Sequence, residues 1–387
     1  MSALPDGMLA PDHGAGGLAA VLPGALGALG LVTTTATGLS STTTRAALGL
    51  PHAERVCVVL ADGLGHVNLA ERAGHAPFLR SLLPEARSLT STFPSTTAAA
   101  IGSFGTGTAP GRTGMLGYTQ RNPVTGALAN MVSWEGAVAP DELQREPTLL
   151  SVAAEAGVRV TSTGPARFAR SGMTLAALRG GTFVAAEPLA DRVDTAVRTL
   201  RRPGLVYLYW RDVDRVGHHH GCGSWQWGDE LEALDRELAR LARSLPAGTL
   251  LLVTADHGMV DVDTALRWDV AGHPALDREV LLVGGEPRAV HVYAEPGAAT
   301  DVADRWRDVL GEHALVLERA DVVARGLLGP DPRPDAVASA GDVVVAMRGR
   351  ATVVDSRTQT PASLDLVGVH GSLTTTEMGV PLLVHTA

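Results

Sequence analysis

Three stretches of this chain, Arg55–Ala61 (RVCVVLA), Gly204–Trp210 (GLVYLYW) and 249–255 (TLLLVTA), are apolar or aromatic apart from Arg55, Thr249 and Thr254. A strand with one face in water alternates polar and apolar residues, and these do not. Runs of this kind fit strands buried on both faces, as in a parallel sheet whose crossover helices cover it on each side. Further strand-like runs lie at 88–93 and 157–163, a helical run begins near Thr97, and 227–245 has helical apolar spacing. The expectation is an α/β fold with a mostly parallel central sheet covered on both faces.

The pattern changes near residue 270. A strand-like run at 288–293, a helical stretch near 303–311 and a second run at 314–318 read as a compact βαβ-like unit, followed by the Pro/Gly-rich 329–334. Strand-like runs return at 342–347, 352–355 and 380–384. Residues 1–271 and 336–387 are therefore read as the main domain and 272–335 as a small inserted α/β cap. A core of this size needs no staple, so Cys57 and Cys222 imply no disulfide framework. The apolar 17–31 lacks a basic lead, is broken by Pro23 and is too short to span a bilayer. It is expected to be one short helix packed on the domain, in a cytoplasmic protein with no membrane partner.

The formal net charge is −9 and all 32 basic residues are arginine. An acidic chain with no basic stripe is a poor partner for a nucleic-acid polymer. A single phosphate group held by metal ions stays compatible, because bound cations outweigh the mean charge locally.

Four segments carry residues suited to holding such ions. Asp62 follows the first apolar run, in VVLADGLGH; Asp214 and His218 stand four apart in WRDVDRVGHHHG; Asp256 and His257 end the third run, in VTADHGM; His370 lies between flexible positions in GVHGS. An Asp and a His four apart can meet on one helical face, and two adjacent ligand types at a strand end have little structural purpose. Three carboxylates with three imidazoles suit two zinc-like ions with open positions, and mixed nitrogen and oxygen ligation also suits manganese. Between the first two segments, Ser95, Thr96 and Thr97 precede an alanine-rich helical run. That is an N-cap pattern, and a hydroxyl there also stands beside free amides able to hold phosphate oxygens. The residues alone do not choose among Thr92, Ser95, Thr96 and Thr97.

Taken in order, a strand ending in Asp-Gly, Pro-x-x-Thr, Thr-Gly, Asp-x-x-Gly-His, Asp-His-Gly-Met and Gly-x-His-Gly resemble the alkaline phosphatase superfamily, in particular its nucleotide pyrophosphatase/phosphodiesterase branch. The resemblance implies a three-layer αβα sandwich. It implies Thr97 as the catalytic nucleophile, through Pro94 and the spacing to Thr106 and Gly107, with Thr92 as a decoy. It assigns Asp214, His218 and His370 to one ion and Asp62, Asp256 and His257 to the other, zinc before manganese. The activity implied is hydrolysis of a small-molecule phosphate ester, as a phosphodiesterase or nucleotide pyrophosphatase, through a threonyl-phosphate. Alternatives are a phosphomonoesterase, a phosphonoacetate-like phosphonate hydrolase, or an inactive metal-binding scaffold. Two positions depart from the branch: Ala98 stands where a phenylalanine stacks on a nucleobase, and Tyr118 where an asparagine binds a phosphate oxygen. Tyr118 can still donate a hydrogen bond and is read as catalytic and substrate-binding; Trp210, Trp225 and Trp227 are candidates to replace the lost stacking, with Trp210 and Trp225 read as substrate-binding and rim or core packing as the favoured alternative.

Overall fold

The computed structural model describes residues 4–387. In chain order its main strands are β1 (Arg55–Ala61), β2 (Arg87–Thr90), β3 (Val160–Gly164), β4 (Thr182–Ala185), β5 (Gly204–Trp210), β6 (Thr249–Thr254), β7 (Val280–Glu286), β8 (Ala289–Ala294), β9 (Ala314–Glu318), β10 (Val343–Met347) and β11 (Gly379–Thr386). The helices that matter here are α1 (Val21–Ala28), α2 (Thr97–Thr106), α3 (Asp212–His220), α4 (Trp225–Ser244) and α5 (Ala299–Leu310).

A seven-stranded sheet runs in the order β2–β11–β6–β1–β5–β3–β4. Strands β6, β1, β5, β3 and β4 are parallel, while β11 runs antiparallel to both β6 and β2. Successive residues of β1 point to opposite faces, yet Val56 through Ala61 are all fully buried. Both faces are therefore covered, as the missing alternation required, and the fold is the expected α/β sandwich. On α4, Leu231, Leu234, Leu238 and Leu241 recur at helical spacing and are buried together, and the Ser224 hydroxyl caps its start by accepting the Trp227 N–H. The leading segment forms α1, every residue of which is buried in the main core, so it is part of the domain interior.

A second sheet, β7–β8–β10–β9, is antiparallel throughout. Here the structure departs from the expected boundary at 335. Strand β10 lies between β8 and β9 and splits the βαβ unit that the sequence suggested. The reason is its two apolar faces. Val343, Val345 and Met347 pack with Trp306 of α5, whereas Val344 and Ala346 pack with Phe93, Leu116 and Leu373 of the main body. A strand so placed needs burial on each side and finds it between the helix and the larger unit. Strands β4 and β7 were not visible as separate runs in the sequence.

The two sheets are joined by a buried ion pair. Arg288, between β7 and β8, donates from Nε and Nη2 to the Glu377 carboxylate at 3.0 and 2.6 Å, with neither side chain exposed. Glu377 also accepts the Ser372 N–H, so the pair holds the turn that carries His370. Removing one partner strands a charge in the interior. Glu377→Gln is expected to lower the urea unfolding free energy by about 3–5 kcal/mol; a loss below about 1 kcal/mol would show that the pair is not a clamp.

Candidate metal centre

Asp62 follows β1, Asp256 and His257 follow β6, and Asp214 and His218 sit on α3 immediately after β5. These are the carboxyl ends of three adjacent parallel strands, the edge where open α/β sheets gather ligands. His370 reaches the same edge from the turn before β11. Two glycines make the approach feasible. Gly63 has φ +72°, and a Cβ there would lie 2.9 Å from Asp214 Cβ; Gly371 has φ +132°, and a Cβ there would lie 2.5 Å from Glu286 Cγ.

All six residues meet. His257 Nε2 lies 3.4 Å from Asp62 Oδ1 and 3.5 Å from Asp256 Oδ2. His218 Nε2 is 3.3 Å from Asp214 Oδ2, and His370 Nε2 is 3.7 Å from Asp214 Oδ1. The His257 and His370 rings stack with centroids 3.5 Å apart. Ligand atoms of Asp62, Asp256 and His257 lie within 4.8 Å of one another, and so do those of Asp214, His257 and His370. His257 thus borders both groups, while His218 reaches the second through Asp214.

Whether these residues suit cations can be read from their unpaired atoms. Each histidine spends Nδ1 on a backbone carbonyl: His218 on Gly368 at 2.7 Å, His257 on Gly258 at 3.1 Å and His370 on Ser95 at 2.9 Å. Donation from Nδ1 leaves each Nε2 facing carboxylates, bare whenever the ring is neutral. Asp62 Oδ1, Asp214 Oδ1 and Asp256 Oδ2 are buried with no hydrogen-bond partner. Lone pairs facing lone pairs in a largely buried cluster call for positive charge between them. The acidities agree. Burial, then the charges of Asp256 and Asp214, push Asp62 well above the carboxylate range, and burial raises Asp256 as well. Burial would also raise Asp214, but the charge and hydrogen bond of His218 outweigh it and hold that group below its usual range. Burial, followed by the His257 charge, drives His370 well below the usual imidazole value. The Tyr209 hydroxyl donates to Asp62 Oδ2, which leaves the other oxygen facing the cluster. The donor set fits two divalent cations of the zinc or manganese kind.

The hydroxyls separate clearly. Thr92 donates to the Pro94 carbonyl at 2.8 Å and Ser95 to that of Ser372 at 2.6 Å, and both are buried. Thr97 opens α2, lines the cavity beside the cluster, and places Oγ1 3.2 Å from His257 Nε2. The cavity measures about 810 Å³. Tyr118 lines it and is 45% exposed, with its backbone N–H given to Glu286 Oε2 at 2.7 Å. The two tryptophans are a correction, since neither lines the cavity. Trp210 is buried, its indole N–H bonded to Glu230 at 2.8 Å and its ring covered by the Arg192 guanidinium. Trp225 is 69% exposed on the first turn of α4.

The cavity also contains residues the sequence did not mark. Glu286, from the end of β7, is buried with Oε1 unpartnered, and burial pushes its carboxyl up to about 8. Phe168 and Phe183 add aromatic wall, and Tyr207 and Tyr209 are successive odd positions of β5 on one face. Only the Tyr-x-Tyr spacing was a usable signal; nothing local marks Glu286.

The family model described as type I phosphodiesterase / nucleotide pyrophosphatase matches residues 56–373. A phosphopentomutase of Chelativorans sp. (strain BNC1) is 34% identical over 116 residues, 29% of this chain and 27% of that protein. Human ectonucleotide pyrophosphatase/phosphodiesterase family member 5 is 36% identical over 77 residues, 18% of this chain and 16% of that protein. The matches span far less than two thirds of either relative. Among solved structures, murine ectonucleotide pyrophosphatase / phosphodiesterase 5 aligns with TM-score 0.68 at 16% identity, covering 86% of this chain and 88% of its own. Phosphonoacetate hydrolase from Sinorhizobium meliloti 1021, in complex with phosphonoacetate, aligns with TM-score 0.70 at 22% identity, covering 92% and 93%. At such identities the likeness is one of fold.

A carboxyl such as Asp62, raised by burial on folding, costs stability at neutral pH because the unfolded chain ionises it, and an amide carries no such cost. In metal-free protein Asp62→Asn is expected to raise the thermal midpoint and to abolish the further rise that zinc produces in the wild type. Calorimetry with and without zinc checks this; a lower metal-free midpoint, or a zinc response left intact, contradicts it.

Proposed function

The chain belongs to the type I phosphodiesterase/nucleotide pyrophosphatase family, in the alkaline phosphatase superfamily, and from that premise we propose a metal-dependent phosphodiesterase acting through a threonyl-phosphate on Thr97. Its relatives and neighbours are named as phosphodiesterases, a phosphomutase and a phosphonate hydrolase, so phosphoryl chemistry is common ground. One observation carries the reading: of the candidate hydroxyls, Thr96 and Thr97 line the cavity, and Thr97, which opens a ten-residue helix, is the one that lies 3.2 Å from a nitrogen of the ligand set.

Asp62, Asp256 and His257 would hold one divalent ion, zinc before manganese, and Asp214, His218 and His370 a second. Bound there, such ions supply Lewis-acid charge that lowers the pKa of nearby hydroxyls and steadies charge on oxygen. The protein does the rest. The first turn of α2 leaves amides without intrahelical acceptors, and these face the phosphoryl oxygens in a positive dipole. The Nδ1 bonds to Gly368, Gly258 and Ser95 fix the three rings, so their nitrogens need no reorganisation during turnover. Thr97 Oγ1, its proton given up to solvent, bonds to phosphorus as the P–O bond to the departing oxygen breaks on the opposite side, and that oxygen takes a proton from solvent. Water then attacks the threonyl-phosphate and restores the hydroxyl. Tyr118 stands at the cavity wall as a donor to a phosphoryl oxygen.

A phosphonate hydrolase is the second reading, favoured by the near-complete structural coverage of phosphonoacetate hydrolase. Thr97→Ala is expected to cut turnover of an aryl phosphodiester by roughly 10³-fold or more, with Thr92→Ala close to wild type. Intact-mass measurement after a rapid quench should show a phosphoryl adduct on the wild type only. Metal analysis with rates on diesters, monoesters and phosphonoacetate tests the class; full activity in Thr97→Ala would end the reading.

A further inference from the structure

Strands β7 and β8 are joined by a two-residue turn, Pro287 and Arg288, with Glu286 paired to Ala289 across it. Gly285 allows so tight a turn: its φ is +85°, and a Cβ there would lie 2.1 Å from the Ala289 carbonyl oxygen. Beyond the turn Arg288 is locked in the interior, its guanidinium given to the Glu377 carboxylate and the Ala351 carbonyl. Glu286 therefore stands on a rigid support, buried in the cavity wall.

Its two carboxyl oxygens are used unequally. Oε2 accepts the Tyr118 N–H at 2.7 Å, whereas Oε1 has no hydrogen-bond partner and is shielded from water. Oε1 packs against Gly371, where a Cβ would stand 2.9 Å from it, and the Thr96 hydroxyl also acts on the carboxyl. Gly371 follows His370 and Thr96 precedes Thr97. The unpaired oxygen is thus flanked by the chain neighbours of a candidate ligand and of the nucleophile. Thr96, Thr97, Glu286 and His370 all line the same cavity.

This carboxyl is poorly placed to ionise. Arg288, the cation nearest in sequence, is spent on Glu377, whose own charge works against a second carboxylate. Burial, more than that charge, pushes Glu286 up to about 8, against the pull of the Tyr118 N–H and the Thr96 hydroxyl. At neutral pH the group is an acid with a carbonyl oxygen for Tyr118 and an O–H left to give. Buried polar groups are normally satisfied, and an unpaired O–H in the wall of a cavity is a donor held for a ligand. A carboxylate in its place would repel an anion.

We infer that Glu286 is a further catalytic residue, a carboxylic acid whose Oε1–H donates to a non-bridging oxygen of the phosphoryl group as charge builds there. The inference rests on the phosphodiesterase reading above and adds a donor from the second sheet, none of whose strands carries a candidate ligand. A donor fixed on a tight hairpin needs no reorganisation as charge develops. A neutral acid also stabilises that charge without opposing the approach of the anion.

Glutamine reproduces the neutral acid, with one oxygen to accept and an N–H to donate, and methionine keeps the length and removes both. The zinc-loaded wild type, Glu286→Gln and Glu286→Met are compared on methyl 4-nitrophenyl phosphate, with circular dichroism as the check on folding. Glu286→Met is expected to lower kcat by about 10²-fold with a smaller change in KM, and Glu286→Gln to restore kcat to within about fivefold of the wild type. An amide gives a hydrogen bond but no proton, so recovery with glutamine marks a donor and not a proton source. Infrared spectroscopy gives a second readout. The wild type should show the carbonyl stretch of a neutral carboxyl that shifts when inorganic phosphate binds, and Glu286→Gln should lack it. If Glu286→Met keeps the wild-type kcat, if Glu286→Gln is as slow as Glu286→Met, or if no such band responds to phosphate, the inference falls, while turnover of the diester by the wild type leaves the phosphodiesterase reading standing. If the wild type leaves the diester intact, that reading falls and the inference with it. Should Glu286→Met not fold, the infrared comparison of the wild type with Glu286→Gln decides alone.

Discussion

Everything at the active edge follows from three carboxylates, those of Asp62, Asp214 and Asp256, packed together at the base of the cavity with no basic side chain among the described residues paired to them other than histidine. Like charges at this spacing and burial are unfavourable by themselves, which is why Asp62 and Asp256 resist ionising. The scaffold that tolerates them is correspondingly rigid. The carboxylates come from the ends of neighbouring strands in a sheet buried on both faces, and the turns behind them are tied to one another. Gly63 N–H donates to Asp256 Oδ1, Ser91 Oγ to the Asp256 carbonyl and Gly258 N–H to the Glu377 carbonyl. Arginine could have neutralised this cluster. Its absence leaves room for small, dense cations that also act on a substrate.

The same rigidity extends to the nucleophile through an unbroken series of hydrogen bonds. Arg288 holds Glu377; Glu377 holds the Ser372 N–H; the Ser372 carbonyl accepts from Ser95; and the Ser95 carbonyl accepts from His370. Ser95 stands two residues before Thr97, so one buried ion pair fixes a histidine of the cluster and the entry to α2 together. The second sheet is thereby tied into the site even though none of its strands carries a candidate ligand. Glu286, from the same sheet, lines the cavity and takes the Tyr118 N–H.

Legibility in the sequence followed locality. Asp62, Asp256 and His257 could be read because each ends an apolar run, and the end of a buried parallel strand is a place whose position is known before the fold is built. Asp214 and His218 were legible through helical spacing alone. The choice of Thr97 over Thr92 needed the resemblance, and the hydrogen bond from Thr92 to the Pro94 carbonyl, which faces it away from the cavity, is invisible in a string of hydroxyl residues. Trp210 misled because an aromatic at a strand end can face the site or the core, and adjacency to Asp214 does not decide which. Strand β10 misled in the same way: its valines look the same whether they cover the large sheet or complete the small one, and only its non-local pairing with β8 and β9 places it.

The departure at Ala98 becomes intelligible from this placement. Ala98 is fully buried in the main core under the start of α2, as are Ala99 and Ala100, and a ring at position 98 would have to displace packed neighbours. The wall next to the nucleophile is therefore closed to aromatic stacking in this chain. The aromatic surface lies instead across the cavity, where Phe168 meets Tyr209 edge-on with ring centroids 5.9 Å apart and Phe183 stands over Gly164.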